Sequence, residues 1–184
     1  MAGTKRLAIR FMAAVDEKSV GALLTLVESK FREGVRDFSI LISTPGGSVF
    51  HGLSAYNFLK GLPAKVVTHN FGSVDSIGVV LFCAGSERRS VPQARFLLHG
   101  VSVGIQQGQR FEEKQLEETL KSLRIDLTNI ARVVAANTGK DEKAVYDAMV
   151  ERTTLDPEQA KTWGLVHVVQ AELLFGDEEL VAIQ

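Results

Sequence analysis

The chain has 184 residues, 45% of them hydrophobic, and a formal net charge of −1. Residues 1–184 suit one domain with a full core and are short for two; so apolar a chain is not disordered, and with no basic block nucleic acid is excluded as a main partner. The apolar run near the start is too short for a secretory signal, none is long enough to span a membrane, and a single cysteine, Cys83, leaves no intrachain disulfide and fits a reducing cytoplasm.

In chain order, strands alternate with helices. "RLAIRFMA" reads as a strand. From Val20, apolar residues recur at Leu23, Leu24, Val27 and Phe31 along one helix face. "FSILIS", Phe38 to Ser43, is a short apolar run closed by Pro45-Gly46-Gly47 and predicts a buried strand. A helix follows over Val49 to Lys60, then the strand "AKVVTHN", then a buried helix over Ser76 to Ala84 stopped by Gly85. "RRSV" and "RFLLH" are strands split by Pro92. A long helix is expected from Gln109 to Asn137, with apolar positions from Phe111 to Val134 and Gly139 as its stop. Asp141 starts another, running to about Val150. Asp156-Pro157 opens a short helix that Gly164 closes, and "LVHVV" is a last strand. The pattern predicts an α/β domain with a largely parallel sheet. The long helix exceeds what a small domain can cover, so it is expected to pack against another subunit.

Three polar features fall at strand ends, where such sheets place their sites. Gly46-Gly47 leaves bare N–H groups suited to an oxyanion or phosphate, or is simply a tight turn. Ser76, at the mouth of an apolar run, is either an N-cap or a nucleophile. His99 ends "RFLLH" and is either a satisfied polar group or a base. Together they supply a nucleophile, a base and an anion hole. His51 reads as a surface or subsite residue, His69 as a strand-end residue within reach of the site, and His167 as structural. No His, Cys or Asp spacing suggests a metal, and no cofactor is expected.

"ISTPGGSVFHGLSAYNFL", "GSVDSIGVVLFCAG" and "ARFLLHGVSVG" resemble the proteolytic subunit of the Clp protease, whose pattern is Ser-Pro-Gly-Gly, Gly-x-Ala-Ala-Ser-Met-Gly and an apolar strand ending in His. The spacing from Pro-Gly-Gly to the serine needs no gap. The likeness extends through "TGKDEKAVYDAMVERTTLDPEQAKTWGLVHVV" and covers roughly residues 7–170. It implies a crotonase-like spiral of αββ units, with the helix from Gln109 as a handle between rings. It implies Ser76 as nucleophile, His99 as base, and the N–H groups of Gly47 and Ile77 as oxyanion hole. A homo-oligomeric ring, heptamer or tetradecamer, peptide or unfolded protein as substrate, and an ATPase unfoldase as partner follow from the same likeness.

There are departures. Counting back from Gly164, the family's histidine-orienting Asp is replaced by Arg152. Glu151 is one residue away and is the candidate third member; Asp156 is better placed as an N-cap. Without an orienting acid the imidazolium loses its partner. Asp75 stands where the family has a small apolar residue and reads as a solvated or capping carboxylate. The chain begins close to its first strand, so the family's N-terminal segment is not expected in it. The expected activity is thus a Ser-His peptidase lacking the usual Asp. The alternatives are an inactive structural or regulatory ring subunit and, third, an acyl-CoA enzyme of the crotonase group.

Overall fold

In the computed structural model, which describes residues 6–105, 107–174 and 178–183, the short apolar runs pair into a single sheet. The start of the chain, on which the signal and N-terminal segment readings bear, includes residues 1–5, outside the described residues. β1 (Arg6–Met12), β2 (Asp37–Thr44) and β3 (Lys65–Asp75) lie side by side and parallel. β3 is long enough to serve two neighbours: its first half pairs with β4 (Glu87–Ser90) and its end with β5 (Arg95–Leu97). β5 carries the one antiparallel partner among the described strands, β6 (Thr154–Leu155), and β7 (Val168–Val169) pairs with β4. The expected α/β architecture with a mainly parallel sheet and a long helix is what the chain forms.

β2 reads as a near-continuous apolar run because it is central, with Phe38, Ile40 and Ile42 all at 0% exposure. α1 (Glu17–Arg32) and α2 (Val49–Gly61) cover one face of the sheet, burying Leu23, Val27, Ala55 and Leu59 with that strand. α3 (Gly78–Phe82) is buried at all five positions. α4 (Glu113–Thr138) and α5 (Glu142–Val150) pack together, and α6 (Pro157–Thr162) precedes the final strands. Along α4 the apolar stripe divides. Ile130, Ala131, Val134 and Ala135 enter the chain's own core, whereas Leu116, Leu120 and Ile125 are about half exposed, at 50%, 47% and 50%. The expectation that a neighbour covers this helix therefore concerns only its first half.

Several boundaries differ from the sequence reading. α1 starts at Glu17, three residues before Val20, because Asp16 and Ser19 form a reciprocal capping box. α4 starts at Glu113 rather than Gln109, capped by Glu112 and Gln115. β3 continues to Asp75, well past Asn70, through a register shift opposite Ile42–Thr44. β8 (Glu179–Ile183), unforeseen, adds to the edge of β1 in parallel. Its five residues carry too little pattern to read alone, and its partner lies at the other end of the chain.

The turn after β2 presses on the end of β3. Gly46 has φ +89, and a Cβ there would stand 2.6 Å from Ser76 Cβ and 2.8 Å from the Asp75 carbonyl oxygen. Gly47 is held by an isolated bridge to Val15: the Val15 N–H donates to Gly46 O at 2.8 Å, and the Ser48 N–H donates to Val15 O at 2.8 Å. Gly46→Ala is expected to lower stability by about 2 kcal/mol, through both strain and contact. Gly21→Ala, in α1 with nothing within 4 Å, is expected to raise it by about 0.5–1 kcal/mol. Urea denaturation of the two variants checks the opposite signs.

His69, 1% exposed in β3, has an ordinary value of 6.5 pushed down to about 4, by burial first and by Arg89 second. Its Nε2 has no partner among the described residues. The folded state thus resists a proton that the unfolded chain accepts. Above pH 7 neither state is protonated and nothing is lost; between about pH 6.5 and 4 stability falls, by about 3 kcal/mol in all, and below that the loss levels off. Urea midpoints at pH 7.5 and 4.5 are expected to diverge less in His69→Leu than in the parent chain. Equal divergence would remove His69 from the acid response.

Candidate active site

Ser76 is where the long strand β3 must turn into the buried helix α3, with only Ser76 and Ile77 between them. The turn is made in the left-handed region, with φ 60, a conformation that strains any residue with a Cβ. Its N–H makes the last bond of the β3–β5 ladder, to Leu97 O at 2.8 Å, and its carbonyl accepts from the Val79 N–H at 3.0 Å. Of the two readings of Ser76, the N-cap is not formed: α3 begins after Ile77, and no side chain caps it. The hydroxyl is left partly exposed, with no hydrogen-bond partner among the described residues. Two further close approaches support the turn. A Cβ on Gly52 would stand 2.3 Å from Ile77 Cγ1, and one on Gly78 would stand 2.4 Å from Thr44 Cγ2.

His99 lies two residues beyond β5 and is partly exposed. Its Nδ1 is 2.7 Å from the Gly100 carbonyl oxygen. A carbonyl can only accept, so Nδ1 carries the hydrogen, and in the neutral ring Nε2 keeps its lone pair. The strand end is held by the Leu98 N–H, which donates to Thr153 O at 2.9 Å.

Ser76 and His99 open onto one cavity of about 100 Å³. Gly47 and Ile77 line it as well. The Gly46 N–H is taken by Thr44 Oγ1 at 3.1 Å, but neither the Gly47 nor the Ile77 N–H meets an acceptor among the described residues. Two bare donors beside a hydroxyl are the elements of an anion hole. Apart from Ser102 the rest of the wall is mainly apolar, and includes Val49, Leu98, Ile130, Val134 and Met149. The last three come from α4 and α5. Their helical spacing marks them as core, and nothing local in the sequence marks them as part of a site.

The segment beside His99 carries no acid turned to it. Glu151, the C-cap of α5, and Arg152, at φ 57, are both exposed and do not line the cavity. Asp156 caps α6, accepting from the Gln159 N–H at 2.8 Å. Asp75 corrects the expectation of a solvated or capping group. It is 8% exposed and accepts from Ser73 Oγ at 2.7 Å and from Arg95 Nη2 at 2.7 Å. His51 is partly buried and its N–H bonds Ser48 Oγ at 3.4 Å, the cap of α2. His69 is buried in β3 outside the cavity lining. His167 is tied to Arg88, whose backbone N–H donates to Nδ1 at 3.1 Å, and burial with the Arg88 charge lowers its affinity for a proton. Burial pushes the Cys83 thiol up to about 12, so it is a packing residue and not a nucleophile.

No helix among the described residues is long and apolar enough to cross a membrane. A sequence model of the Clp protease family matches residues 5–172. The ATP-dependent Clp protease proteolytic subunit of Bdellovibrio bacteriovorus is 30% identical over 175 residues, 90% of this chain and 79% of that protein. The ATP-dependent Clp protease proteolytic subunit 2 of Corynebacterium efficiens is 31% identical over 137 residues, 73% of this chain and 67% of its own. With the family match running nearly end to end over this sheet and its Pro-Gly-Gly turn, the chain belongs to the Clp protease family.

Proposed function

We propose that this chain is a serine peptidase subunit in which Ser76 attacks, His99 is the base, the N–H groups of Gly47 and Ile77 hold the oxyanion, and a backbone carbonyl stands in for the orienting acid. The observation that carries this reading is the meeting of a strained, unbonded serine hydroxyl and a tautomer-fixed histidine in one cavity beside two free N–H donors. Nε2 takes the hydroxyl proton as Oγ bonds the scissile carbonyl carbon. The negative charge moves to the carbonyl oxygen, and the same proton passes to the departing amine. Water then repeats the sequence on the acyl-enzyme. The apolar wall favours an apolar side chain before the cleaved bond. The Gly100 carbonyl holds the tautomer but, being uncharged, steadies the imidazolium less than a carboxylate does, so turnover is slow. Glu151 has no assigned task in this scheme.

An inactive ring subunit is the second reading, and Arg152 favours it, because a guanidinium in the acid's sequence position has no part in the triad. Peptides or unfolded proteins as substrates, and an ATPase that delivers them, are proposed from the name of the relatives, which are ATP-dependent proteases. The half-exposed Leu116, Leu120 and Ile125 support assembly into a ring through α4.

A fluorophosphonate probe decides between the two readings. The expected outcome is labelling at Ser76, lost in Ser76→Ala, with esters of apolar residues turned over faster than those of acidic ones. A folded assembly that takes no label supports the inactive subunit. Because the hydroxyl caps nothing and the backbone is left-handed, Ser76→Gly is expected to be about 1 kcal/mol more stable than Ser76→Ala. Equal urea midpoints would argue that the turn is unstrained. Light scattering at micromolar concentration is expected to give a multiple of the chain mass, and Leu120→Glu to reduce it; a monomer would contradict the ring.

A further inference from the structure

The strand that delivers His99 is only three residues long and meets β3 at three positions: Ser73 with Arg95, Val74 with Phe96, and Asp75 with Leu97. So short a ladder offers few backbone bonds to hold its place. A slip of one residue would carry His99 about 3.3 Å past Ser76, farther than a proton transfer tolerates. On one side of the strand Phe96, fully buried, packs edge-on against Phe82 at 5.1 Å. A one-residue slip would turn Phe96 to the other face, so its burial also opposes a slip. Directional contacts hold the strand from both sides: β6 pairs with Phe96 and Leu97, the Leu98 N–H donates to Thr153 O at 2.9 Å, and from β3 come polar side-chain contacts. The Asp75 carboxylate receives Ser73 Oγ and Arg95 Nη2, each at 2.7 Å. Asn70, 0% exposed, donates through Nδ2 to the Arg95 carbonyl at 2.8 Å.

We propose that Asp75 is a positioning residue: its ion pair with Arg95 locks β3 against β5 and so sets Ser76 and His99 at reacting distance. The Asp75 side chain is buried to 11% exposure while that of Arg95 is at 53%, so the carboxylate is the fixed member and the guanidinium reaches in to it. The pair also neutralises a carboxylate one residue from the nucleophile, where an unpaired negative charge would oppose the oxyanion that forms beside Ser76. The carboxylate acts through the ladder and touches no substrate. The inference rests on the peptidase reading above for its catalytic half, whereas its register half stands on the fold alone.

The test therefore reads both halves, in Arg95→Gln, Asp75→Asn and Arg95→Lys. Hydrogen exchange of the Ser76 amide, bonded to Leu97 O at 2.8 Å, reports the ladder without any chemistry. It is expected to quicken at least ten-fold in Arg95→Gln and Asp75→Asn, with Phe38 and Ile40 amides unchanged, and to stay within three-fold in Arg95→Lys. Fluorophosphonate labelling of Ser76 and kcat on an activated peptide ester are expected to fall at least ten-fold in the first two variants at nearly constant KM, and to be largely restored by the lysine. Unchanged exchange at Ser76 in Arg95→Gln overturns the register half. Changed exchange with wild-type labelling and kcat overturns the positioning role. A parent chain that takes no label overturns the peptidase reading, and with it the catalytic half, even where the exchange result upholds the ladder.

Discussion

Gly46 lies against Ser76 with no room for a methyl group between them, and the site is arranged around that contact. On one side stands the turn that closes β2, pinned to Val15 on both sides of Gly47 so that one N–H is left facing outward. On the other stands the end of β3, where a serine occupies backbone space that a residue with a Cβ takes up only under compulsion. The compulsion comes from the two elements that Ser76 joins. β3 is bonded on both edges, and α3 is buried at every position, so neither can move to relax the turn. Strain of this kind persists because the surrounding core holds it, and it keeps the hydroxyl out of the hydrogen-bonded structure around it.

The histidine is organised by a weaker device. A carboxylate on Nδ1 would both choose the tautomer and share the charge of the imidazolium; the Gly100 carbonyl does the first and little of the second. The segment that could have supplied the acid passes nearby, with Thr153 bonded to Leu98. At the next residue back, however, the chain turns through a left-handed Arg152 into solvent. In the proposed peptidase, catalysis would thus depend more on geometry than on charge, which gives weight to whatever fixes β5 on β3.

Buried polar groups elsewhere serve the frame. Arg88, 4% exposed, donates to the carbonyls of Gly85, Asn137, Gly164 and Leu165, so one side chain ties the end of α4 to the segment before β7. That tie holds the rear of α4 in place, and Ile130 and Val134 from the same helix wall the cavity. Burying a cation is costly unless its donors are matched, and here carbonyl oxygens match them.

The sequence by itself determined the alternation of strand and helix, the buried nature of "FSILIS", the Asp156-Pro157 helix start and the pairing of a Gly-Gly turn with Ser76 and His99. Each is written in local spacing, apolar periodicity or turn chemistry, which operate over a few residues. It also pointed to the family through the same short motifs. Only the tertiary structure decided that Ser76 is strained rather than a cap, that Asp75 is paired with Arg95 rather than solvated, that β8 closes the edge of β1, and that half of α4 is covered by its own chain. Local propensity favours a serine before an apolar run as a cap. What overrides it is the meeting of β3, β5 and the Gly46 turn, segments about 20 to 30 residues apart whose contacts come from packing, a long-range constraint that no short window of sequence contains.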